Sequence, residues 1–319
     1  MSILVERQGL FDTIHDAGRT GFRRYGVPTG GWFDKRHAIM ANLLVGNAIG
    51  AACVEITQKS GLFLANSPLY VAVAGPCAVI NHLKCNSEAR EYGDTAVFWL
   101  NAGDRLEVRH PGKGCRSYLA VTGGGWQAKQ VLGSHSSETR LNQGNLLQPA
   151  GQPELQLAYP SCRYFKSPFT DFISIENKLN YIPAIAFQPI SETFTATEWQ
   201  VLPQSNRVGI RLVPVHSCPG LSMAASGADR LSEPVIPGTV QWTGSELIIL
   251  GVAGGTMGGY ERIGQVIESD IPRLAQLRPG EKIQFSALNL NEARRRNQLS
   301  EANFQRKFQW MKLAISSCL

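Results

Sequence analysis

Two features of the chain could place positive charge and N–H donors beside an anion or a carbonyl oxygen. The first is an arginine-bounded pattern, Arg19–Arg23 (RTGFR), which recurs as Arg207–Arg211 (RVGIR). The second is a glycine-rich loop, residues 251–259, which follows a predicted strand. Backbone amides of such a loop can approach an anion. A tight β-turn would require the same glycines. An anion-binding loop and a purely structural turn therefore both stay open as interpretations.

Familiar catalytic signatures are missing from the sequence. It has no P-loop, no G-x-S-x-G, no G-x-G-x-x-G after a strand and no H-E-x-x-H. The six histidines stand far apart, so no metal site is predicted. The seven cysteines include no C-x-x-C pair and are odd in number, which favours reduced thiols in the cytoplasm.

The positive charge of the chain is concentrated at one end. The net charge is +6, and residues 289–319 hold six basic against two acidic side chains. The rest of the chain shows no basic stripe and no nucleic-acid-binding signature. The most apolar windows are too short and too broken by Pro or Gly to span a bilayer, and no signal peptide is recognised. We therefore expect neither a nucleic acid nor a membrane as partner.

Short strands dominate the predicted secondary structure, so the fold class is mainly β with a few short helices. The predicted strands are β-branched or aromatic runs bounded by Gly, Pro or Asn, at 69–74, 96–100, 106–109, 117–121, 246–250 and 282–285. Helices are predicted at about 35–45, with Asp34 as N-cap, near 271–277, and in the basic tail.

The chain contains a second repeated pattern, which we call the second echo. It supports the internal repeat indicated by the arginine pattern, the first echo. Gly103–Val108 (GDRLEV) recurs as Gly280–Phe285 (GEKIQF), in the same order relative to the arginine patterns. Each half is predicted to begin with a turn and strand at its arginine pattern and to end with a glycine turn into a strand. Because both patterns recur in the same order, the sequence predicts two related β-rich domains in tandem. The alternative is that the patterns match by chance. The predicted boundaries are 1–150 for the first domain, 151–197 for a linker, 198–288 for the second domain and 289–319 for an amphipathic helix.

Several longer motifs carry a resemblance to a known family. In the first half they are D-A-G-R-T-G from Asp16, G-V-P from Gly26, A-N-L-L-V-G-N from Ala41 and V-E-I-T from Val54. In the second half they are P-Q-S-N-R-V-G from Pro203, S-E-P-V-I-P-G-T-V-Q from Ser232 and T-M-G-G-Y from Thr256. The chain resembles the C subunit of bacterial 5-oxoprolinase, also called allophanate hydrolase subunit 2 or KipI antagonist. It is also similar to the carboxyltransferase domain of urea carboxylase.

The resemblance implies a fold and a function. The fold is a tandem pair of cyclophilin-like β-barrels. The function is that of a subunit of an ATP-dependent lactam hydrolase, which converts 5-oxoproline to glutamate together with A- and B-type subunits, with ATP and Mg bound in the complex. The alternatives are a biotin-dependent carboxyltransferase acting on a urea-like amide, and a non-catalytic regulatory subunit of the KipI-antagonist kind.

The resemblance also implies site residues. The catalytic candidates, which would supply positive charge or move a proton, are Arg19, Asp34, Glu55 and Arg207. The substrate-binding candidates are Asp16, Asn42, Ser205, Glu233, Gln241, Thr256, Gly258, Gly259 and Tyr260. This chain departs from the family at Ala253-Gly254-Gly255, where the family has D-x-Q, so two polar side chains are missing there.

Structural roles compete with these assignments. Asp34 is also a natural helix cap, and Asn42 and Asn47 could close turns around the first helix. Glu55 lies in an apolar strand, so if it is buried it needs a partner, for which Arg19 is the expected candidate. Arg19 and Arg207 could brace their barrels through carboxylate pairs.

Overall fold

The computed structural model describes residues 1–85, 88–152, 162–165, 177–216 and 231–316. The chain forms two compact units. Unit 1 consists of Met1–Arg19, Asp34–Ser174 and Gln305–Leu319, and unit 2 consists of Thr20–Phe33 and Ile175–Phe304. Parts of the predicted linker, residues 153–161 and 166–176, lie outside the described residues.

Unit 1 is built on a ten-stranded sheet. Its main path runs β2-β3-β8-β5-β7-β4-β1-β9, with β6 paired to β5 and β10 paired to β6. The strands are β1 (Ile3–Arg7), β2 (Phe11–His15), β3 (Cys53–Thr57), β4 (Leu62–Ala65), β5 (Leu69–Leu83), β6 (Arg90–Leu100), β7 (Arg105–Arg109), β8 (Arg116–Val121), β9 (Leu146–Leu147) and β10 (Cys162–Phe165). The strands predicted between residues 69 and 121 are all confirmed.

Both faces of the central strands are buried, which explains their continuous apolar runs. Val54, Ile56 and Leu119 point into the main core of unit 1. Helix α1 (Lys35–Leu44) packs against β3, β5 and β8. This helix confirms the prediction, including its N-cap, because the Asp34 side chain accepts a hydrogen bond from the His37 backbone N–H.

Unit 2 contains a closed barrel with the strand order β11-β18-β15-β16-β13-β12-β19. The strands of the unit are β11 (Lys178–Pro183), β12 (Trp199–Val201), β13 (Gly209–Pro214), β14 (Glu233–Pro234), β15 (Thr239–Trp242), β16 (Leu247–Leu250), β17 (Met257–Gly258), β18 (Glu261–Val266) and β19 (Lys282–Ala287). Strands β14 and β17 form a separate two-stranded ribbon. Strand β11 belongs to the barrel, although its residues lie within the predicted linker. The mainly β fold class is confirmed.

The remaining helices are short, except the last. They are α2 (Ser191–Ala196), α3 (Ile271–Leu274) and α4 (Leu290–Ser316), with 3₁₀ turns at Arg23–Tyr25, Ile185–Ile190 and Glu268–Asp270. Helix α4 confirms the predicted helix in the basic tail, and its side chains Phe304, Met311 and Ile315 are buried. No helix in the described ranges is long and apolar enough to cross a membrane.

The second sequence echo is a structural repeat. Gly103 and Gly280 both have left-handed backbone, with φ of 88° and 85°. The Gly103 N–H donates to the Ala65 carbonyl at 2.8 Å, and the Gly280 N–H donates to the Val201 carbonyl at 2.8 Å. The acid that follows each glycine accepts a backbone N–H from three residues earlier, 3.0 Å for Asp104 and 3.1 Å for Glu281. Each turn leads into a strand, β7 or β19, as predicted.

The two copies of the arginine pattern do not have the same structure. Arg207–Arg211 leads into strand β13, but Arg19–Arg23 leads into a 3₁₀ turn, so the strand predicted for the first copy is wrong. The physical reason lies in the local hydrogen bonding and backbone. The Asp16 carboxylate accepts the Gly18 N–H at 2.8 Å, and Gly18 and Gly21 are both left-handed, which bends the chain away from an extended path.

Candidate functional site

Glu55 lies in a buried ion pair of unit 1. Strands β3 and β8 place Glu55 directly opposite Tyr118. The Tyr118 hydroxyl donates to Glu55 Oε2 at 2.8 Å, and Arg116 Nε lies 3.3 Å from Glu55 Oε1. Glu55 is 1% exposed, so the expectation that it needs a partner is correct. The ion-pair partner is Arg116, and the expected pairing with Arg19 is wrong.

Asp34 is joined to the same group through its backbone. The Asp34 N–H donates to the Tyr118 hydroxyl at 2.7 Å, while Asp34 Oδ2 lies 2.7 Å from His37 Nδ1. Burial, followed by the neighbouring charges of Glu55 and Asp34, raises the pKa of Tyr118 well above its usual value. Tyr118 therefore keeps its proton and can donate to Glu55. We call Asp34, His37, Glu55, Arg116 and Tyr118 the tyrosine network.

Asn42 closes a turn after helix α1. Its side-chain amide donates to the Ala51 carbonyl at 2.8 Å, and its Oδ1 accepts from Asn47 Nδ2 at 3.0 Å. The Asn47 amide also donates to the Val121 carbonyl at 2.8 Å. The turn-closing interpretation of both asparagines is confirmed.

Asp16 and Arg19 hold the loop of residues 134–136. Asp16 Oδ1 accepts from the Ser134 and Ser136 hydroxyls at 2.6 and 2.7 Å, and Oδ2 accepts the His135 N–H at 2.6 Å. Burial raises the pKa of Asp16, but these hydrogen bonds outweigh it and the pKa lies below its usual value. Arg19 Nη2 donates to the Ser136 carbonyl at 2.6 Å. Arg19 thus binds a backbone carbonyl, and the expected carboxylate pair is not among its described contacts.

Arg207 anchors the start of the glycine-rich loop in unit 2. It is 2% exposed, and its Nη2 donates to the Gly31 carbonyl at 2.5 Å. The Arg207 carbonyl accepts the Ala253 N–H at 3.1 Å. A Cβ on Gly251 would lie 2.1 Å from the Arg207 carbonyl oxygen, so this close approach requires glycine.

Ser205 stabilises the turn before strand β13. Its hydroxyl accepts the Arg211 N–H at 3.0 Å and donates to the Arg211 carbonyl at 3.3 Å. Asn206 Oδ1 accepts the Val208 N–H at 2.8 Å. The hydroxyl of Ser205 is thus engaged with its own turn.

The other candidates of unit 2 gather at the ribbon of β14 and β17. Glu233 pairs with Gly258 across the ribbon, and the Thr256 carbonyl accepts the Val235 N–H at 3.0 Å. Gln241 is buried beneath the ribbon, and a Cβ on Gly258 would lie 2.5 Å from Gln241 Nε2. This amide also donates to the Tyr260 carbonyl at 3.4 Å.

The ribbon is the accessible part of the predicted site. Tyr260 is 54% exposed, Gly259 is exposed, and the Glu233 side chain is 63% exposed with Arg262 Nη2 at 3.9 Å. The structure thus brings together Glu233, Gln241, Thr256, Gly258, Gly259 and Tyr260. Asp34 and Glu55 meet in the tyrosine network of unit 1, and Asp16 meets Arg19 at the loop of residues 134–136.

The sequence model of the family described as "Carboxyltransferase domain, subdomain A and B" matches residues 25–287. The chain belongs to this family. The match includes most of the candidates described above, from Asp34 to Tyr260, and excludes Asp16 and Arg19.

Relatives in the family have different names and lengths. The chain is 30% identical over 314 residues to the 5-oxoprolinase C subunit of Escherichia coli, covering 94% of this chain and 95% of that protein. It is 26% identical to urea amidolyase of Lachancea kluyveri, covering 93% of this chain and 17% of that protein.

Two solved structures show the same fold. Urea carboxylase of Kluyveromyces lactis aligns with a TM-score of 0.77 at 25% identity, covering 96% of this chain and 29% of that chain. TTHA0988 aligns with a TM-score of 0.76 at 29% identity, covering 90% of this chain. The chain spans 56% of the length of TTHA0988.

Sequence reasoning missed three members of the tyrosine network. The sequence predicts Tyr118 only as part of a β-strand, and Arg116 and His37 carry no motif. The i+2 spacing of Arg116 and Tyr118 places both on one face of a strand, which is the signal that could have found them. The described residues hold no group of three or more His, Cys, Asp or Glu side chains arranged to bind a metal ion.

Proposed function

We propose that this chain is a subunit of an ATP-dependent 5-oxoprolinase-type complex that opens 5-oxoproline to glutamate with A- and B-type partner subunits. The observation that carries the proposal is the extent of the match to the 5-oxoprolinase C subunit, 94% of this chain and 95% of that protein. The matched part of urea amidolyase is only 17% of that protein.

In this proposal the ribbon of unit 2 contacts the substrate. Opening a lactam places negative charge on its oxygen as water adds to the carbonyl carbon, so the site must supply N–H or O–H donors there. Tyr260 offers a hydroxyl, and Thr256 offers a second one on the same ribbon. Gln241 packs against Gly258 and donates to the Tyr260 carbonyl, so it supports the ribbon, and Glu233 orients the substrate at the edge.

The proposed roles in unit 1 are indirect for Asp34 and Glu55. Both side chains are about 1% exposed and carry partners within the protein, so they act by holding other groups in place. Arg19 donates to the Ser136 carbonyl and so holds the loop of residues 134–136. Arg207 is 2% exposed and donates to the Gly31 carbonyl, so we assign it to anchoring the glycine-rich loop within unit 2. Asp16 holds Arg19 through the Ser136 loop, while Asn42 and Ser205 hold turns.

The first part of the glycine-rich loop, residues 251–254, does not fit the phosphates of ATP. The backbone N–H groups of residues 251, 253 and 254 already donate to the carbonyls of Val208, Arg207 and Gly251. A phosphate cradle needs such amides to be free. We therefore assign ATP and Mg to a partner subunit and derive no step through them.

The test is 5-oxoproline-dependent ATP hydrolysis by this chain purified together with its A- and B-type partners. We expect turnover in the full complex and loss of turnover when this chain is left out. Unchanged turnover without the chain, or no turnover from a stably assembled complex, would overturn the proposal.

A matched pair of variants tests the role of Arg207. Arg207→Ala removes the buried guanidinium, and Arg211→Ala removes the half-exposed partner of Glu246 in the same pattern. Because displacement of a positioning loop by about 1 Å can lower a rate ~100-fold, we expect Arg207→Ala to lower kcat by about that factor, and Arg211→Ala to lower it by less than ~3-fold. If the activity of Arg207→Ala only follows its folded fraction in a thermal melt, Arg207 is structural.

A biotin-dependent carboxyltransferase is the second candidate, because the family is named for that domain and the urea carboxylase structure aligns over 96% of this chain. Biotin would have to be carried outside residues 1–319, because these residues contain no M-K-M biotinylation motif. Carboxylation of urea, measured with biotin carboxylase and a biotin carrier added, is the test. Product formation that requires this chain would favour this candidate over the lactam hydrolase.

A further inference from the structure

Tyr118 is the residue on which the tyrosine network depends. It is fully buried in unit 1, and its hydroxyl makes both of the hydrogen bonds that its chemistry favours. The O–H donates to Glu55 Oε2 at 2.8 Å, and the oxygen accepts the Asp34 N–H at 2.7 Å. Both contacts have the geometry of strong hydrogen bonds.

The Asp34 N–H and the Glu55 carboxylate determine which way the Tyr118 hydroxyl proton points. A backbone N–H can only donate, so the Tyr118 oxygen must be the acceptor towards Asp34. The single hydroxyl proton is then free to point at Glu55, whose other oxygen lies 3.3 Å from Arg116 Nε. The two oxygens of the Glu55 carboxylate therefore face different partners, Tyr118 at one and Arg116 at the other.

The hydrogen bond from the Asp34 N–H to Tyr118 lies at the start of helix α1. Asp34 is the N-cap of helix α1, and its backbone is not helical, with φ of −103° and ψ of 87°. Its side chain accepts the His37 N–H at 3.4 Å, which is a long hydrogen bond, and also contacts His37 Nδ1 at 2.7 Å. The N–H of an N-cap residue has no partner within the helix, so the Tyr118 oxygen supplies the contact that fixes it.

We propose that Tyr118 is a positioning residue, whose hydroxyl fixes the backbone of Asp34 against Glu55 and so sets the start of helix α1 for the reaction. The inference rests on the proposed function, in which Asp34 and Glu55 act by holding other groups. A shift of about 1 Å in such a group can lower a rate ~100-fold without weakening substrate binding.

Tyr118→Phe tests the proposal in the complex with the partner subunits. The substitution removes one oxygen and keeps the ring, so the packing between β8 and α1 is retained. Tyr181→Phe is the matched control, because Tyr181 is also fully buried, lies in unit 2 and has its hydroxyl 3.2 Å from Ser191 Oγ.

We expect Tyr118→Phe to lower kcat by ~10- to 100-fold with KM within ~3-fold of the wild-type value. Tyr181→Phe should leave both constants near the wild-type values. A wild-type kcat in folded Tyr118→Phe would overturn the proposal. Equal loss of kcat in both variants, in proportion to loss of folded protein, would also overturn it.

Hydrogen exchange separates this inference from the proposed function. Exchange at the Asp34 amide, measured by mass spectrometry on peptides that begin before Asp34, should be faster in Tyr118→Phe than in Tyr181→Phe or wild type. If the wild-type complex does not hydrolyse 5-oxoproline, the proposed function fails, and this comparison still decides whether Tyr118 holds Asp34. Equal protection in all three proteins would show that it does not.

Discussion

The two units treat their acidic side chains differently. Among the described residues, five acidic side chains are buried, and all of them lie in unit 1: Asp12, Asp16, Asp34, Glu55 and Asp104. Within the described part of unit 2, no Asp or Glu is buried to this degree, and Glu233 at the ribbon is 63% exposed. Most of the buried acids accept several hydrogen bonds from their own unit. Unit 1 thus uses buried carboxylates to hold its loops and helix in place, while the described carboxylates of unit 2 are half-buried or exposed.

The two repeated glycine turns, at Gly103 in unit 1 and Gly280 in unit 2, have the same backbone geometry but differ in the contacts of their acidic side chains. Asp104 and Glu281 follow equivalent glycines and accept equivalent backbone N–H groups. Asp104 also accepts from His82 Nε2 at 2.8 Å and from the Cys85 N–H at 3.0 Å. The backbone geometry of the repeat has been kept while the buried polar contacts differ. A buried motif acid of unit 1, such as Glu55, is therefore expected to act on structure, and the exposed motif acid of the ribbon in unit 2, Glu233, on ligand.

The largest contrast is expected between Glu55→Ala and Glu233→Ala. Glu55→Ala removes the carboxylate of a buried ion pair and the acceptor of the Tyr118 hydroxyl, which should cost about 3–5 kcal/mol of unfolding free energy. Glu233 makes a solvent-exposed contact, so its removal should cost less than ~0.5 kcal/mol. Urea unfolding of both variants measures the difference. A similar loss of unfolding free energy in the two variants would contradict the view that only unit 1 uses its carboxylates to stabilise the fold.

Asp12 should make the stability of unit 1 depend on pH. Burial is the main cause that raises its pKa to about 7, against the lowering effects of the Gly61 N–H and Arg140. The folded pKa lies above the unfolded value, so the folded state binds the proton more tightly and stability falls as pH rises from about 4 to about 7.

Asp12→Asn removes this titration. Above pH 7 we expect the variant to be more stable than wild type, by about 4 kcal/mol at most, and to lack the decline. Chemical unfolding at pH 4 to 8 provides the check. A parallel pH dependence in wild type and variant would show that Asp12 is not the group responsible.

Asp104→Asn and Glu281→Gln compare the two turns directly. Asp104→Asn replaces a buried acceptor of three hydrogen bonds and should cost about 1–3 kcal/mol. Glu281→Gln keeps an acceptor for the single Arg278 N–H and should change stability by less than ~0.5 kcal/mol. The midpoints of urea unfolding give both values, and a larger cost at Glu281 would reverse the interpretation.

The smallest contrast is expected at the glycines themselves. Gly103→Ala and Gly280→Ala each force an alanine into left-handed backbone, at a cost of about 1–2 kcal/mol. A new Cβ at Gly103 would lie 3.1 Å from the Cys85 sulfur, while nothing lies within 4 Å at Gly280. Thermal unfolding should therefore show similar losses, slightly larger at Gly103. A negligible loss at either position would mean that its turn does not need the left-handed conformation.

Much of the fold could be predicted from the sequence, because its signals are local. The apolar runs, the Asp34 cap and the repeated Gly-acid-base pattern each act within a few residues, and the structure has the corresponding strands, helix and turns. The path after Arg19 could not be predicted in this way, since it depends on the Asp16 carboxylate and two left-handed glycines. The barrel strand at Lys178–Pro183 was missed because Asn and Pro interrupt its apolar pattern.

The candidate site was harder to predict, because its partners are distant in sequence. The motifs identified Glu55 and Asp34 but not Tyr118, which joins them from another strand, and they suggested Arg19 where Arg116 is the ion-pair partner. Sequence spacing contains no information on which arginine faces a given carboxylate across a sheet. The roles of the ribbon residues in substrate binding stay predictions.

The measurement that tests the account most directly is glutamate release from 5-oxoproline, per ATP consumed, by the complex with this chain present or absent. We predict coupled glutamate release that requires the chain and that falls sharply in Tyr260→Ala, on the exposed ribbon. No glutamate from a correctly assembled complex would contradict the proposed function. Full activity in Tyr260→Ala would contradict the view that the ribbon of unit 2 contacts the substrate.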